Sequence, residues 1–333
     1  MQFWNRTPLP AAVVPNAEDD DRMTVLFLCA ITYRIAHGKL EIAPGQRPLV
    51  LRADGPHPPD GMFDKQGVSV CATGFVYPKK SPAREATALL RVGSRDAPIA
   101  VLGQRVWQKA MIYGQPAPSA PLPFERVAMT WENAYGGMTE EPARIVKMDG
   151  DEIFVPAHEG GFAQNFNGKG FYTDPARAVD QPLPQLEDPE RPIRRWDDRP
   201  DPVCFAPYPM WGGLRATHVY HDEKLDVAGA KKLGNKASPR GTFDALEPGA
   251  PISLVGMRPG GGALSFDVPP APAAVDLWLG GRAERALLAV DSVDIDAEAE
   301  EVRFLYRATV NYDLIQFELR LARLEPTESF PVA

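Results

Sequence analysis

The stretch His158–Tyr172, HEGGFAQNFNGKGFY, carries the residues that come nearest to a phosphate cradle. A phosphate-binding loop needs four residues between its first glycine and a Gly-Lys pair, then Ser or Thr to hold magnesium. Here Gly161 and Gly168 stand too far apart, and Gly170 occupies the place of the hydroxyl. The text before it (Asp149-Gly150-Asp151, then EIFVP) and after it (TDPAR) lacks the strand-loop-helix setting that such a loop requires. NGKG therefore reads as a turn where two backbones approach, or as part of a docking surface.

Other constellations are equally sparse. His218 and His221, followed by Asp222 and Asp226, have no third His or Cys at zinc-ligand spacing. Asp54, Asp60 and Asp64 share a Gly/Pro-rich loop, but not with the spacing of a twelve-residue calcium loop. Ser94, Ser119 and Ser238 lie in turn-like text, and no GxSxG elbow occurs. The sequence thus predicts no catalytic residue, no cofactor and no metal.

Composition narrows the class. The 333 residues carry a net charge of −8 and are 44% apolar, enough for a sizeable core and opposite in sign to a nucleic-acid footprint. Proline supplies 35 residues, about twice its usual ~5% share, which argues for stiff loops and few helices. Cys29, Cys71 and Cys204 form no CxxC and no even framework. With no leader-like start and no long apolar run, the expectation is a cytoplasmic protein that engages no membrane.

The elements that must position any site are mainly strands. Met23–Ile35 is apolar on both faces, as a central strand would be. Val68–Tyr77, Thr87–Val92, Ile99–Trp107 and Phe124–Tyr135 follow as strand candidates. Toward the C-terminus, alternation marks strands around Ile252–Leu254, Leu264–Val268 and Val275–Leu279. Leu287, Ala289, Val293 and Ile295 share one parity. Beyond the acidic turn Asp296–Glu301, apolar even positions from Val302 to Val310 oppose Arg303, Arg307 and Thr309. That predicts a hairpin with one wet face. Leu314–Leu324 fits a strand better than a helix, Asp222–Leu233 is the other helix candidate, and Thr173–Pro202 follows neither period.

The fold expected is mainly β: antiparallel β-sandwich-like bodies with long Pro/Gly-rich loops and few short helices. Residues 1–172 form an N-terminal β-rich body and 173–247 a Pro-rich, irregular connecting region. Residues 248–333 form a C-terminal β-rich body, compatible with packing as one unit with the first.

What remains distinctive is text that joins aromatics to glycines: WENAYGG, NFNGKGFY and FAPYPMWGGLR. The candidate partner-binding residues are Trp107, Trp131, Glu132, Tyr135, Gly136, Gly137, Asn165, Gly168, Gly170, Phe171 and Trp211. Trp, Tyr and Arg are favoured interface anchors. The structural alternative is that glycine permits close backbone approach and the aromatics pack over it.

Six segments in order resemble one family. They are VGSRDAPIAVLGQRVWQK, PFERVAMTWENAYGG, NFNGKGFY, PVCFAPYPMW, LVGMRPGGGALSFDVP and AVDSVDIDAEAEEVRFLYRATV. Together they resemble the bacterial type VI secretion effector adaptors, or chaperones, which are encoded beside PAAR or VgrG spike proteins and toxic effectors. The resemblance runs from about Met23 to Val310. It departs at HVYHDEKLDVAGAKKLGNKASPRGTFDA, where only PRGTFDA fits the pattern. It implies a non-catalytic adaptor whose partners are a secreted effector protein and a PAAR or VgrG spike protein, with no nucleic acid and no membrane. The competing expectation is a β-sandwich glycan hydrolase, or a carbohydrate-binding protein with Trp131, Trp211 or Trp278 as a flat platform.

Overall fold

The computed structural model describes residues 1–17, 21–52, 59–63, 65–109, 114–141, 144–148, 151–155, 158–162, 164–208, 220–221, 224–225, 234–313, 319–328 and 330. The chain is mainly β, as the alternation predicts. Among these residues the helical pieces are one α-helical turn, Pro175–Ala178, and two 3-10 turns, Trp131–Asn133 and Pro239–Gly241.

The largest sheet runs in the order Ala11–Ala17, Arg22–Ala36, Glu301–Asp313, Ala289–Asp296, Val68–Thr73, Thr242–Phe243. Its pairings are antiparallel except that of Ala289–Asp296 with Val68–Thr73. A second, antiparallel sheet orders Leu186–Glu187, Arg95–Leu102, Glu85–Val92, Pro251–Val255, Ala263–Asp267. A third joins Gln2–Asn5 in parallel to Leu319–Pro326, then Ala273–Leu279 and Arg282–Leu287. Strands from both ends of the chain thus interleave, and one apolar core draws on all three sheets.

Arg22–Ala36 lacks alternation because both of its faces are covered. Phe27, Cys29 and Ile31 enter the main core, while Leu26, Leu28 and Ala30 pack with Leu305 in a second cluster beneath Val14, Leu49 and Phe63. Each of the buried Leu, Ile and Phe side chains contributes about 1.5–3 kcal/mol of burial.

That second layer covers, at Arg303 and Arg307, the face of the C-terminal hairpin expected to be wet, while Thr309 stays exposed. Arg303 is 5% exposed and donates to Asp60 at 2.6 Å, while Lys236 meets the other oxygen of Asp60 at 2.5 Å. Lys65 reaches Asp291 at 2.5 Å, and Arg307 reaches it at 3.3 Å. Charges so far from water persist only when paired. Burial alone would raise the Asp60 carboxyl, but Lys236 and Arg303 outweigh it and hold the group at about 2. Asp60 is therefore spent in an ionic clamp, while Asp54 and Asp64 lie outside the described residues.

The parity expected before the hairpin turn also breaks. Pairing steps from Val290↔Tyr306 to Ser292↔Leu305, which leaves Asp291 as a bulge. Ala289 is consequently exposed and Val290 takes the inward place beside Val293 and Ile295, while Leu287 ends the strand Arg282–Leu287 of another sheet and is 74% exposed there. A bulge re-aims one side chain, here the carboxylate that binds Lys65 and Arg307.

Three further expectations change. Phe124–Tyr135 is not one strand: its strands are Val127–Ala128 and Tyr135–Gly136, on either side of the 3-10 turn. Ile99–Trp107 is likewise two pieces, since its strands end at Leu102 and resume at Trp107. Within Asp222–Leu233, Lys224–Leu225 forms a short strand with Tyr220–His221, and the rest lies outside the described residues. From the closing segment, Leu319–Pro326 is a strand, as its alternation predicts. Residues 314–318 lie outside the described residues.

Candidate functional site

Thr173–Pro202 lacks a period because it wraps the N-terminal segment instead of forming its own layer. Asp174 caps the turn Pro175–Ala178 by accepting from the Ala176 amide at 2.8 Å. The Trp107 amide donates to the Gln181 carbonyl at 2.9 Å, and the Leu183 amide to the Arg105 carbonyl at 3.0 Å. The Arg105 guanidinium pairs with Glu187, whose other oxygen accepts from the Ile193 amide at 3.1 Å. Trp107, Tyr135, Ala178, Leu183 and Ile193 close into a small core of their own, with Phe162 and Phe171 against it.

On this support WENAYGG and NFNGKGFY form a single knot. Asn165 is 3% exposed, and its side-chain amide donates to the carbonyls of Trp131 (2.8 Å) and Tyr135 (3.0 Å). Tyr135–Gly136 lies parallel to Lys169–Gly170, with Gly136 opposite Gly170. A Cβ on Gly136 would stand 2.1 Å from the Asn165 carbonyl oxygen, and one on Gly168 2.7 Å from that of Ala134. Only glycine lets the two backbones come this close. NGKG is thus a turn at a backbone contact.

The aromatics complete the knot. Trp131 donates to the carbonyls of Ala206 (3.1 Å) and Pro207 (3.0 Å) and meets Tyr208 edge-on at 4.4 Å. Tyr208 in turn donates to the Gln164 carbonyl. The Tyr135 hydroxyl donates to the Asp198 carbonyl at 2.9 Å, and burial pushes its pKa up to about 12. Phe162 meets Tyr135 edge-on at 4.9 Å and Phe171 at a tilt at 5.5 Å, and Arg199 lies 5.0 Å over the Phe171 ring. Burial lowers the pKa of Lys169, which donates to Asn133 at 3.0 Å.

The structure therefore brings together Trp107, Trp131, Tyr135, Gly136, Gly137, Asn165, Gly168, Gly170 and Phe171. Of these, Trp107, Trp131, Tyr135, Gly136, Gly137, Asn165 and Gly170 are buried, and Glu132 is exposed at the rim. Trp211 and His218 lie outside the described residues, as does the side chain of His221. Trp131 faces the interior and so offers no flat platform, while Trp278 lies under Arg323 at 4.7 Å. Ser119 accepts from the Val106 amide, and Cys29, Cys71 and Cys204 are buried thiols whose pKa values burial raises. Among the described residues no three His, Cys, Asp or Glu group as metal ligands, and no helix is long and apolar enough to cross a membrane.

Rooted in the knot is an element that the search for a phosphate cradle passes over. Met138–Glu141 pairs with His158–Gly161, and Arg144–Met148 with Asp151–Val155, both antiparallel and with the same register offset. The root is fixed by the Gly137 amide donating to the Asn165 carbonyl (2.8 Å) and the Phe162 amide to the Gly137 carbonyl (3.0 Å). Asp149-Gly150 lies between the paired ends, and Asp-Gly between two β-rich runs is the signal that reveals such a hairpin from sequence. Among the described residues these strands pair with each other and with no further strand. Met138 (51% exposed) and Ile145 (64%) lie open on this arm.

A separate groove of about 620 Å³ runs between the sheets, bordered by Leu246, Pro269, Leu287, Val290 and Arg307.

The family described as "Uncharacterized protein conserved in bacteria (DUF2169)" matches residues 20–307. No curated protein and no solved structure matches the chain.

Proposed function

The chain belongs to this bacterial family, and from that premise we propose that it is a non-catalytic adaptor. It binds a type VI secretion effector and helps load it onto a PAAR or VgrG spike protein. The motif order of the sequence supports the type of partner. The observation that carries a binding role is the two-stranded arm rooted in the aromatic–glycine knot, whose outer edges pair with no other described strand. An isolated hairpin is marginal in water, and an open edge gains main-chain hydrogen bonds when an extended segment joins it. Buried Trp131, Tyr135 and Asn165 serve this reading as the mount of the arm.

The test is gentle affinity capture of the tagged protein from its native bacterium, with identification of what accompanies it. An effector together with a PAAR or VgrG protein is expected. Recovery of the chain alone overturns the adaptor role.

A further inference from the structure

The groove between the sheets shares no bordering residue with the knot or the arm. It encloses about 620 Å³, inside the ~300–1,000 Å³ of pockets that take ligands. Leu246, Pro248, Leu287 and Val290 give it an apolar border. Leu287 is 74% exposed, the most open large apolar side chain among the described residues. It ends the strand Arg282–Leu287, whose outer side pairs with no further described strand.

Charge is uneven around this border. Arg307 pairs with Asp291 at 3.3 Å and Lys65 meets Asp291 as well, so the less exposed charges are already matched. Asp244 and Glu247 also border the groove, are exposed, and form no ion pair among the described residues. The open rim is therefore negative beside an uncovered leucine. An open apolar surface gains from being covered, and the two carboxylates select for a cation beside whatever covers it.

We propose that the groove docks an extended segment of a partner protein in which a Lys or Arg adjoins an aliphatic residue. The aliphatic side chain covers Leu287 on the side of Leu246 and Val290, and the cation reaches Asp244 and Glu247. A second copy of this chain is the poorer occupant, since it brings a net charge of −8 to a negative rim. The inference goes beyond the adaptor reading: it adds a docking surface built from residues that reading does not use.

The probe is a short alternating lysine–leucine peptide. A glutamate–leucine peptide controls for charge, a lysine–serine peptide for apolar contact, and butylammonium for a free cation. Binding to the full chain is followed by fluorescence anisotropy, and its location by amide hydrogen exchange. The lysine–leucine peptide should bind and slow exchange within 244–250 and 287–291, and both control peptides should bind about tenfold more weakly or worse. Leu287→Ser should weaken binding by about 10- to 100-fold, the equivalent of one leucine left uncovered. Asp244→Asn combined with Glu247→Gln should weaken it by about three- to tenfold, as two exposed ion pairs are lost. All three positions are exposed, so these variants keep the fold, which urea unfolding checks.

No binding of the lysine–leucine peptide, protection elsewhere, equal binding of either control peptide, or unchanged affinity in either variant overturns the proposal. Full competition by butylammonium at matched concentration overturns it too, by making the groove a site for a free cation. Protection of 287–291 by self-association without peptide does the same, by making it an interface between copies. These assays need neither effector nor spike protein. Their failure leaves the adaptor role standing, and recovery of the chain alone from the host leaves the groove standing.

Discussion

Asn165→Ala tests whether the knot is the mount of the arm. The side-chain amide of Asn165 satisfies two buried carbonyls, those of Trp131 and Tyr135. Truncation leaves both short of a donor in a place that water does not reach. Each lost bond costs about 1–1.5 kcal/mol net, so the variant should lose about 2–3 kcal/mol. The close backbones of Gly136 and Gly168 restrict the collapse that would soften this loss. Urea unfolding measures the global part. Hydrogen exchange at the Gly137 and Phe162 amides, which fix the root of the arm, measures the local part. If the two carbonyls hold the root closed, those amides should exchange about 30- to 150-fold faster, which is the same energy expressed as a rate ratio. Asn165→Asp should be worse than alanine, since a carboxylate has no donor and would face two carbonyl oxygens. The reasoning fails if Asn165→Ala changes stability by less than about 0.5 kcal/mol, the scatter of ordinary surface changes, with exchange at the root unaltered. It fails equally if Asp is tolerated as well as Asn.

Two more outcomes follow from the layers beneath. Asp60 is held at about 2 in the folded protein, against an ordinary value of 3.8, so it stabilises the fold above pH 4. That contribution, about 2 kcal/mol, is lost as pH falls from about 4 toward 2. Asp60→Asn should cost about 3–5 kcal/mol at neutral pH, because Lys236 and Arg303 lose their shared partner, and its deficit against the unaltered chain should shrink over that same acid range. Urea unfolding across pH 2–7 reads both. The Asp291 bulge predicts opposite outcomes for adjacent residues: Ala289→Ser should stay within about 0.5 kcal/mol, while Val290→Ser should cost about 2 kcal/mol. Equal costs would mean that the parity does not switch there.

How legible each part is depends on how local its cause is. Leu264 and Phe266 alternate with Ser265 and Asp267 because one face of that strand meets the core, and two or three residues suffice to show it. The two covered faces of Arg22–Ala36 are visible as an unbroken apolar run. The ionic clamp is invisible because its cause is remote. Arg303 alternates like a solvent-facing residue, and only Asp60, some 243 positions away, and Lys236 explain its burial. The bulge at Asp291 hides for the same reason, since its carboxylate answers Lys65 from a distant loop. A strand read by parity alone has no means of counting an extra residue whose purpose lies across the sheet.

The aromatic–glycine text sits between these cases, and it shows what motif chemistry does and does not carry. Glycines beside aromatics mark a place where backbones cross closely, and Gly136 over the Asn165 carbonyl is such a place. The residue types do not say which side of the crossing faces water. Trp131 has the composition of an interface anchor, yet its indole N–H is spent on the Ala206 and Pro207 carbonyls. Within the same text Phe166 is exposed, and on the arm beyond it Met138 and Ile145 are more so, in residues with no motif of their own. A rigid mount needs large side chains and exact backbone contacts, so it is rich in unusual residues, whereas an edge that adds a strand recognises through its main chain and needs only regular β text. The conspicuous motif is thus the support, and under the proposed adaptor role the binding surface falls to the plainer hairpin that the motif holds.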